Sequence, residues 1–394
     1  MADQKRIGRN VYALSAVSFF TDASSEMIYP LLPVFLTTVL GASAGSLGII
    51  EGAAETTAAL LKLASGWWSD RVRRRKPLIA FGYGLASAAR PLIAIAQSAT
   101  QVLAIRLVDR VGKGIRGAPR DALIADSVDP SIRGKAFGLH RASDHAGAVV
   151  GPLLAFAVLH WWHTPLRTVF WLAAIPGAIA VAIALFVVKE ERPPVAHAST
   201  ARIDPHVPLP KRFWGALGAI TLFTLGNSTD AFLLLRATQL GVPVAMAPIL
   251  WALLHVVKST TSTPGGMLSD RIGRKPAVIA GWMIYAIVYL LFARATEAWH
   301  AWALFAVYGL YFGLAEGPER ALVADIVPGG KRGTAFGWYN LSIGIAALPA
   351  SVIFGLLWDR AGSATAFVFG AIMAGLASLL LAAVPGTRSR VPGT

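Results

Sequence analysis

The stretch GWWSDRVRRRKP, residues 66–77, returns in the second half of the chain as GMLSDRIGRKP, residues 266–276. The stretch GAPRDALIADSVDPSIRGKAFG, residues 117–138, likewise returns as EGPERALVADIVPGGKRGTAFG, residues 316–337. Both pairs keep the same order and nearly the same spacing, which is the mark of an internal repeat. The sequence therefore predicts a chain built from two related halves.

Each half contains apolar stretches that are long enough to cross a lipid bilayer as helices. The chain of 394 residues is 55% hydrophobic and 14% charged, whereas a soluble domain has about 25% charged residues. A helix that spans the bilayer core needs about 17 to 25 apolar residues. We predict twelve such spans, at 11–40, 44–66, 77–97, 100–127, 136–160, 166–188, 213–237, 244–266, 277–294, 299–326, 334–358 and 363–385. The expected fold is an all-α polytopic membrane protein with two pseudo-symmetric six-helix bundles.

The polar stretch between the sixth and seventh spans divides the chain. It is rich in proline and charge, and we predict a cytoplasmic linker at 189–212 between an N-terminal bundle at 1–188 and a C-terminal bundle at 213–394. Lysine and arginine concentrate on one side of the predicted membrane, which holds about 22 of the 36 basic residues. By the positive-inside rule that side is the cytoplasm. We therefore expect both termini there, in a multi-pass protein of the inner, cytoplasmic membrane.

The same distribution accounts for the net charge of +15. In a soluble protein such a charge suggests nucleic-acid binding, but here it marks topology, and we expect no nucleic-acid partner. The chain has no cysteine, which excludes disulfides and cysteine-ligated metals. The first apolar segment is too long for a signal peptide and has no small-residue cleavage site, so we expect it to remain as the first helix.

The repeated loop after the second and eighth spans carries a recognisable signature. It has the form G-x-x-x-D-R-x-G-R-K/R, with Arg73 in place of the inner glycine of the first copy. The matching residues are Gly66, Asp70, Arg71, Arg74, Gly266, Asp270, Arg271 and Arg274. With these motifs and its twelve spans, the chain resembles the major facilitator superfamily (MFS) over nearly its full length. The resemblance implies the MFS fold and a secondary transporter that works by alternating access.

The aspartate of this loop is a candidate conformational latch. A carboxylate beside a basic turn can accept hydrogen bonds from the N-terminus of a neighbouring helix and pair with arginines. Such a contact at Asp70 would hold one arrangement of the two halves. The alternative is that Asp70 and the arginines after it only set the topology.

Two further motifs point to a position within the superfamily. In the fourth span, RVGKGIRGA at residues 110–118 is similar to R-x-x-Q-G-x-G-A, which places Arg110 at the superfamily's buried arginine. In the fifth span, Gly147-x-x-x-Gly151-Pro152 is similar to the G-x-x-x-G-P motif of the drug/proton antiporter branch. The second resemblance implies export.

Charged side chains lie in the predicted membrane interior of the N-terminal half. Each costs about 2.5 to 3.5 kcal/mol at the centre of a lipid-facing helix, so they must face one another or a water-filled cavity. The acidic ones are candidates for proton coupling and the basic ones for substrate binding: Asp22, Glu26, Glu51 and Glu55, and Arg106, Arg110, Lys113 and Arg116. In one interpretation they are ion pairs that hold the helices together. In the other, Asp22 or Glu26 titrates during transport while the cations attract substrate.

The C-terminal half has fewer intramembrane charges. Asp230 in the seventh span and His255 in the eighth are further candidates for proton coupling, and His255 lies opposite Glu55 in the repeat. A lone histidine at this depth is more often a hydrogen-bonded packing residue than a proton relay. The asymmetry predicts that coupling belongs to the N-terminal half, while the C-terminal half supplies apolar contacts and motion.

These observations predict a proton-coupled transporter that exports a small organic solute across the inner membrane. We expect it to act as a monomer in the lipid bilayer, with protons as the coupling ion and without a cofactor. The alternative is proton-coupled uptake or exchange of an anionic metabolite or metal chelate, which the cation-rich fourth span favours. A remote alternative is a non-transporting receptor or an enzyme. The sequence contains no Ser/His/Asp set, metal-ligand motif or P-loop, so we expect neither enzymatic activity nor a metal site.

Overall fold

Twelve helices follow one another along the part of the chain that the structure describes. The structure is a computed structural model that describes residues 7–72, 75–128, 133–190, 209–327 and 332–385. The helices are α1 Arg9–Ile28, α2 Ala44–Val72, α3 Lys76–Ala89, α4 Ala99–Asp126, α5 Arg133–Trp162, α6 Leu166–Phe186, α7 Lys211–Gln239, α8 Ala247–Ile272, α9 Arg274–Arg294, α10 Ala298–Ile326, α11 Arg332–Ala361 and α12 Ser363–Ala383. No strand occurs among these residues. The predicted all-α fold is confirmed, whereas most of the predicted linker lies outside the described residues.

Nine of the described helices, α3 and α5 to α12, have the length and apolar composition needed to cross a membrane. The other three, α1, α2 and α4, carry the intramembrane charges predicted from the sequence. In addition, α1 is irregular beyond Ile28, where a 3₁₀ turn, an α-helical turn and a π-helical turn continue it to Val39. Pro30 and Pro33 lie in this segment, and a proline ring removes a backbone donor and disfavours regular helical hydrogen bonding.

The two halves use the same set of helix contacts. In the N-terminal half α1 packs on α5 and α6, and α4 packs on α2 and α3. In the C-terminal half α7 packs on α11 and α12, and α10 packs on α8 and α9. Between the halves α2 packs on α11 and α5 packs on α8, which are equivalent contacts in the repeat. The repeat found in the sequence is therefore the symmetry of the fold.

The halves approach each other closely at the extracytoplasmic ends of α2 and α11. A glycine allows this approach, because a Cβ atom at Gly48 would collide with the carbonyl oxygen of Ser351. Asp359 near the end of α11 accepts hydrogen bonds from the backbone N–H groups of Ala44 (2.9 Å) and Gly45 (2.7 Å) at the start of α2. A carboxylate in this position satisfies otherwise unpaired N–H groups and interacts favourably with the helix dipole. Contacts between the halves therefore close the outer end.

Towards the cytoplasm the two halves separate. Near the middle of α2, the hydroxyl of Thr56 donates a hydrogen bond to the carbonyl oxygen of Gly344 on α11, at 2.6 Å. Beyond this point a cavity opens between the halves, and the side chain of Glu55 is 48% exposed. With the orientation that the basic loops predict, the buried pair of Glu51 and Arg106 lies towards the outer side of this cavity, and the half-exposed Glu55 lies one turn closer to the cytoplasm.

Candidate functional site

A cavity of about 710 Å³ lies between the two halves. Its wall is formed by α1, α2, α4 and the end of α3 from one half, and by α7, α8, α10 and α11 from the other. All of the predicted proton-coupling and substrate-binding residues line it: Asp22, Glu26, Glu51, Glu55, Asp230, His255, Arg106, Arg110, Lys113 and Arg116. The structure thus brings these charges together in one internal space, which explains how a lipid-embedded chain tolerates them.

Two of the predicted carboxylates form ion pairs with α4. Arg106 donates from Nε and Nη2 to the two carboxylate oxygens of Glu51, at 2.9 and 2.7 Å, and both side chains are buried. Arg110 Nη2 lies 3.0 Å from Oε1 of the half-exposed Glu55. Two parallel bonds between arginine and carboxylate make a strong and directional contact. This geometry favours the structural interpretation for Glu51 and Glu55.

A third ion pair involves residues that sequence reasoning did not single out. Arg90, at the end of α3, donates from Nε to Asp109 on α4 at 2.9 Å and from Nη1 to the carbonyl oxygen of Thr21 on α1 at 2.9 Å. Both charged side chains are buried. The position of Arg90 inside the predicted third span was the available signal, because a cation there requires a partner. The contact connects three helices of the N-terminal half beside the cavity.

The carboxylates of α1 differ from these pairs. Asp22 interacts electrostatically with Arg116 and Lys113, but the described residues include no cation close enough to form an ion pair with it. Glu26 also has no cation in contact, and its Oε2 accepts a hydrogen bond from Trp251 Nε1 of α8 at 2.6 Å. Lys113 and Arg116 form no ion pair either within the described part of the chain. The cavity therefore holds opposite charges that attract each other without touching.

A break in α7 forms part of the cavity wall in the C-terminal half. The helix is interrupted at residues 227–230, and Asp230 at this break accepts a hydrogen bond from the Tyr308 hydroxyl at 2.6 Å. In the same segment the hydroxyl of Thr229 lies 3.0 Å from that of Tyr29 on α1. The break thus turns polar groups towards the cavity and connects the two halves.

His255 lies in the cavity wall without the hydrogen bond expected of a packing histidine. Its ring packs edge-on against Trp251, with ring centroids 5.0 Å apart. Neither ring nitrogen is exposed, and neither has a hydrogen-bond partner among the described residues. His255 is therefore a polar group that faces the same space as the charges of the other half.

Comparison with known proteins agrees with this architecture. The family model described as Major Facilitator Superfamily matches residues 14–258 and 237–393. The chain belongs to the major facilitator superfamily. A relative from Methanocaldococcus jannaschii, named as an uncharacterized MFS-type transporter, is 36% identical over 386 residues, which are 96% of each protein. The multidrug resistance protein MdtG of Klebsiella pneumoniae is 26% identical over 302 residues, 69% of this chain and 68% of that protein.

A solved structure shows the same MFS fold. A bacterial homolog of the human lysosomal transporter Spinster, in an inward-facing and unoccupied conformation, has a TM-score of 0.78 to this chain at 16% sequence identity. The match covers 94% of this chain and 95% of that one. The chain is thus a multi-pass membrane transporter of the MFS, a family of transporters for small molecules rather than of enzymes. Among the described residues no group of three or more potential ligands is arranged to hold a metal ion.

The MFS loop signature makes contacts within each half. In the second copy Arg274 pairs with Asp270, and its Nε lies 3.7 Å from Asp325 at the end of α10. In the first copy Arg75 pairs with Asp126 at the end of α4, the position that matches Asp325 in the repeat. Each basic loop is therefore held to the end of the same neighbouring helix in its own half.

The predicted latch itself lies outside the described residues. No side chain from 66 to 72, which includes Gly66, Asp70 and Arg71, is described, and Arg74 falls in a gap. In the second copy Gly273 has a φ of 96° in the turn between α8 and α9, a conformation that glycine adopts without strain. Gly266 and Arg271 lie at the end of α8 before this turn. A latch between the halves at this loop stays a prediction.

The MFS helix-5 motif packs against α1. Cβ atoms at Gly147 and Gly151 would collide with the carbonyl oxygens of Phe19 and Ala23, respectively. The following Pro152 lies inside α5. Small residues of this kind allow two helices to approach within backbone contact. The motif therefore holds α5 against the segment of α1 that carries Asp22 and Glu26.

Proposed function

We propose that this MFS transporter is a proton-coupled antiporter that exports a small organic solute from the cytoplasm by alternating access, acting as a monomer in the cytoplasmic membrane. The observation that carries the proposal is a central cavity between the halves in which Asp22 and Glu26 have no ion-pair partner among the described residues. In alternating access such a cavity opens to one side at a time. A carboxylate inside it then exchanges protons with each side in turn.

The contacts of the carboxylates support Asp22 and Glu26 as the proton-coupling residues. Glu51 and Glu55 are bonded to arginines, and such bonds last only while the carboxylate is charged. Asp22 has no bond of this kind to an arginine in the described part of the chain. Glu26 is bonded to Trp251 of the other half, and protonation would remove the charge assistance of that bond. Proton binding at Glu26 would thereby weaken a contact that joins α1 to α8.

Two observations support export as the direction. The helix-5 motif at 147–152 resembles that of the drug/proton antiporter branch, and one relative is named as a multidrug resistance protein. The second candidate function is proton-coupled uptake or exchange of an anionic metabolite or metal chelate. The specific observation that favours it is the presence of Lys113 and Arg116 in the cavity, where neither forms an ion pair with any residue that the structure describes.

The test is solute accumulation by everted membrane vesicles, in which export appears as uptake. Labelled organic anions, drugs and metal chelates are supplied with and without a pH gradient, to the wild type, Asp22→Asn and Glu26→Gln. Glu297→Gln is the matched control, because Glu297 is an exposed carboxylate at the start of α10, outside the cavity lining. We expect gradient-driven accumulation in the wild type and the control, and its loss in at least one α1 variant.

Other outcomes separate the alternatives. Accumulation in right-side-out vesicles with an inward proton gradient would instead support the second candidate. Gradient-driven flux that survives both α1 substitutions would assign Asp22 and Glu26 a structural role. The absence of gradient-driven flux for every solute would overturn the proposal.

A further inference from the structure

We infer that the cavity binds an organic anion, whose acidic group lies between Lys113 and Arg116 of α4 and whose apolar part lies against α8 and α10. The inference rests on the proposed function, since it takes the bound anion to be the exported solute. It specifies a chemical class of ligand and the residues that recognise it.

The charge balance of the cavity is the first argument. In the three arginine–carboxylate pairs described above beside the cavity, the two charges of each pair neutralise each other. The remaining charged side chains that line this half of the cavity are three cations and two carboxylates: Lys62, Lys113, Arg116, Asp22 and Glu26. None of the five forms an ion pair within the described residues. Asp230 and Lys258 line the other half of the cavity with opposite charges. A monovalent anion would therefore bring the sum over these side chains to zero, and removal of an uncompensated charge from a low-dielectric site is favourable.

The environment of Arg116 is the second argument. Arg116 lines the cavity but is only 5% exposed, and its guanidinium stacks on the ring of Tyr83, with the central carbon 4.1 Å from the ring centroid. Its Nη1 is buried and has no hydrogen-bond partner among the residues that the structure describes. A buried, unpaired donor is unfavourable until a ligand accepts its hydrogen bond. The planar guanidinium fork suits a carboxylate, sulfonate or phosphate.

Lys113 completes the anion site. It lies three residues before Arg116 on α4, so the two side chains project from neighbouring positions on the helix surface. Both attract Asp22 across the cavity without contacting it. An anionic ligand group can therefore bind directly to these two cations, which Asp22 attracts but does not contact.

The opposite wall accepts an apolar group. Trp251 and Phe312 line it from α8 and α10, and Ile343 lines it from α11. Apolar walls with a few convergent polar groups are typical of small-molecule sites, and the volume of about 710 Å³ lies within the usual range for drug-sized ligands. The ligand is thus an amphipathic acid, with the charged end at α4 and the apolar end at the C-terminal half.

Anion export also agrees with the membrane potential. The cytoplasmic side is electrically negative, so an anion that moves outward moves down the potential. A cation-rich cavity that opens to the cytoplasm is therefore suited to collect an anionic solute and release it outside.

The test compares the binding of three probes that share a ring system and differ in charge: 1-naphthoate, 1-naphthamide and 1-naphthylmethylammonium. Equilibrium dialysis against the purified full-length protein in lipid nanodiscs measures each dissociation constant. We expect naphthoate to bind at least tenfold more tightly than the other two. Lys113→Gln and Arg116→Gln should each weaken naphthoate binding about tenfold without changing naphthamide binding.

Two variants test whether a loss of naphthoate binding comes from the anion site itself and not from a general effect of removing a cation. Arg116→Lys keeps the charge and should retain the preference for naphthoate, while Arg320→Gln removes a cation that is half-exposed outside the cavity and should leave binding unchanged. Thermal melting checks that each variant is folded. Equal or tighter binding of the amide or the ammonium compound, unchanged naphthoate binding in the Lys113→Gln/Arg116→Gln double variant, or failure of all three probes to bind would overturn the inference.

The outcome is separable from that of the proposed function. If naphthoate binds as expected while vesicles show no gradient-driven flux, the anion site stands and proton-coupled export fails. If vesicles accumulate neutral or cationic solutes in a gradient-dependent way and naphthoate binding is weak, export stands and the anion site fails.

Discussion

Asp359 is expected to hold the outer end of the transporter closed. Its carboxylate accepts hydrogen bonds at 2.9 and 2.7 Å from the N–H groups of Ala44 and Gly45, which belong to the other half. When the outer end opens, α2 and α11 must separate, and water then solvates these groups. Asp359→Ala removes a contact of the closed state only. The variant should therefore populate the outward-open state more than the wild type does.

The size of the shift follows from the contact that is lost. Replacement of a helix-capping side chain by alanine costs about 0.5–2 kcal/mol, and a charge near a helix N-terminus contributes about 0.3–1 kcal/mol. Because water partly replaces the carboxylate at this exposed end, we expect a net loss of about 1–2 kcal/mol. Such a change alters the ratio of two states by about 5- to 30-fold.

Pulsed electron paramagnetic resonance between two spin labels measures this ratio. The chain has no cysteine, so cysteines introduced at the exposed residues Thr100 and Ala364, at the outer ends of α4 and α12, label specifically. We expect one dominant short distance in the parent protein and a second, longer population in Asp359→Ala. The matched control is Glu297→Ala, because Glu297 caps α10 within its own half. An unchanged distribution in Asp359→Ala, or an equal shift in the control, would refute the argument.

The buried ion pairs and glycine contacts of the N-terminal half lead to two stability predictions. Arg106→Gln leaves Glu51, which is 1% exposed, without its partner and should destabilise the protein by about 3–5 kcal/mol. The partner of Arg110 is half-exposed, so Arg110→Gln should lower the melting temperature in detergent much less. Equal decreases of the melting temperature in the two variants would contradict the role given to burial. Gly151→Ala forces a Cβ atom against a carbonyl oxygen of α1 and should destabilise by about 1–3 kcal/mol. At Gly375 an added Cβ atom would meet nothing within 4 Å beyond its own stretch of helix, so Gly375→Ala should melt at or above the wild-type temperature. Similar melting of the two glycine variants would show that the contact of α5 with α1 relaxes.

That charges of α1, α2 and α4 face one internal space could be predicted from the sequence. Depth follows from a constant rise per residue along a helix, so the sequence placed the acidic residues of α1 and α2 and the basic residues of α4 at one level. The superfamily could also be recognised, because the repeat and the loop motifs are local patterns. These properties depend only on neighbouring residues and on the length of apolar runs.

The choice of partners could not be predicted in this way. At one depth, four carboxylates and several cations offer many pairings, and the outcome depends on the rotation and tilt of each helix, which packing decides. The tertiary structure pairs Glu51 with Arg106 and, within the ranges it describes, brings no cation into contact with Asp22. It also brings Trp251 to Glu26.

By itself, then, the sequence determined that this protein is a twelve-helix MFS transporter with charges buried at mid-membrane, since hydrophobic length, charge cost and repetition act along the chain. Only the tertiary structure decided which charges neutralise each other, which remain available in the cavity, and that Asp359 bonds to the start of α2 at the outer end. Those contacts join residues far apart in sequence. They exist only once the two halves are packed against each other.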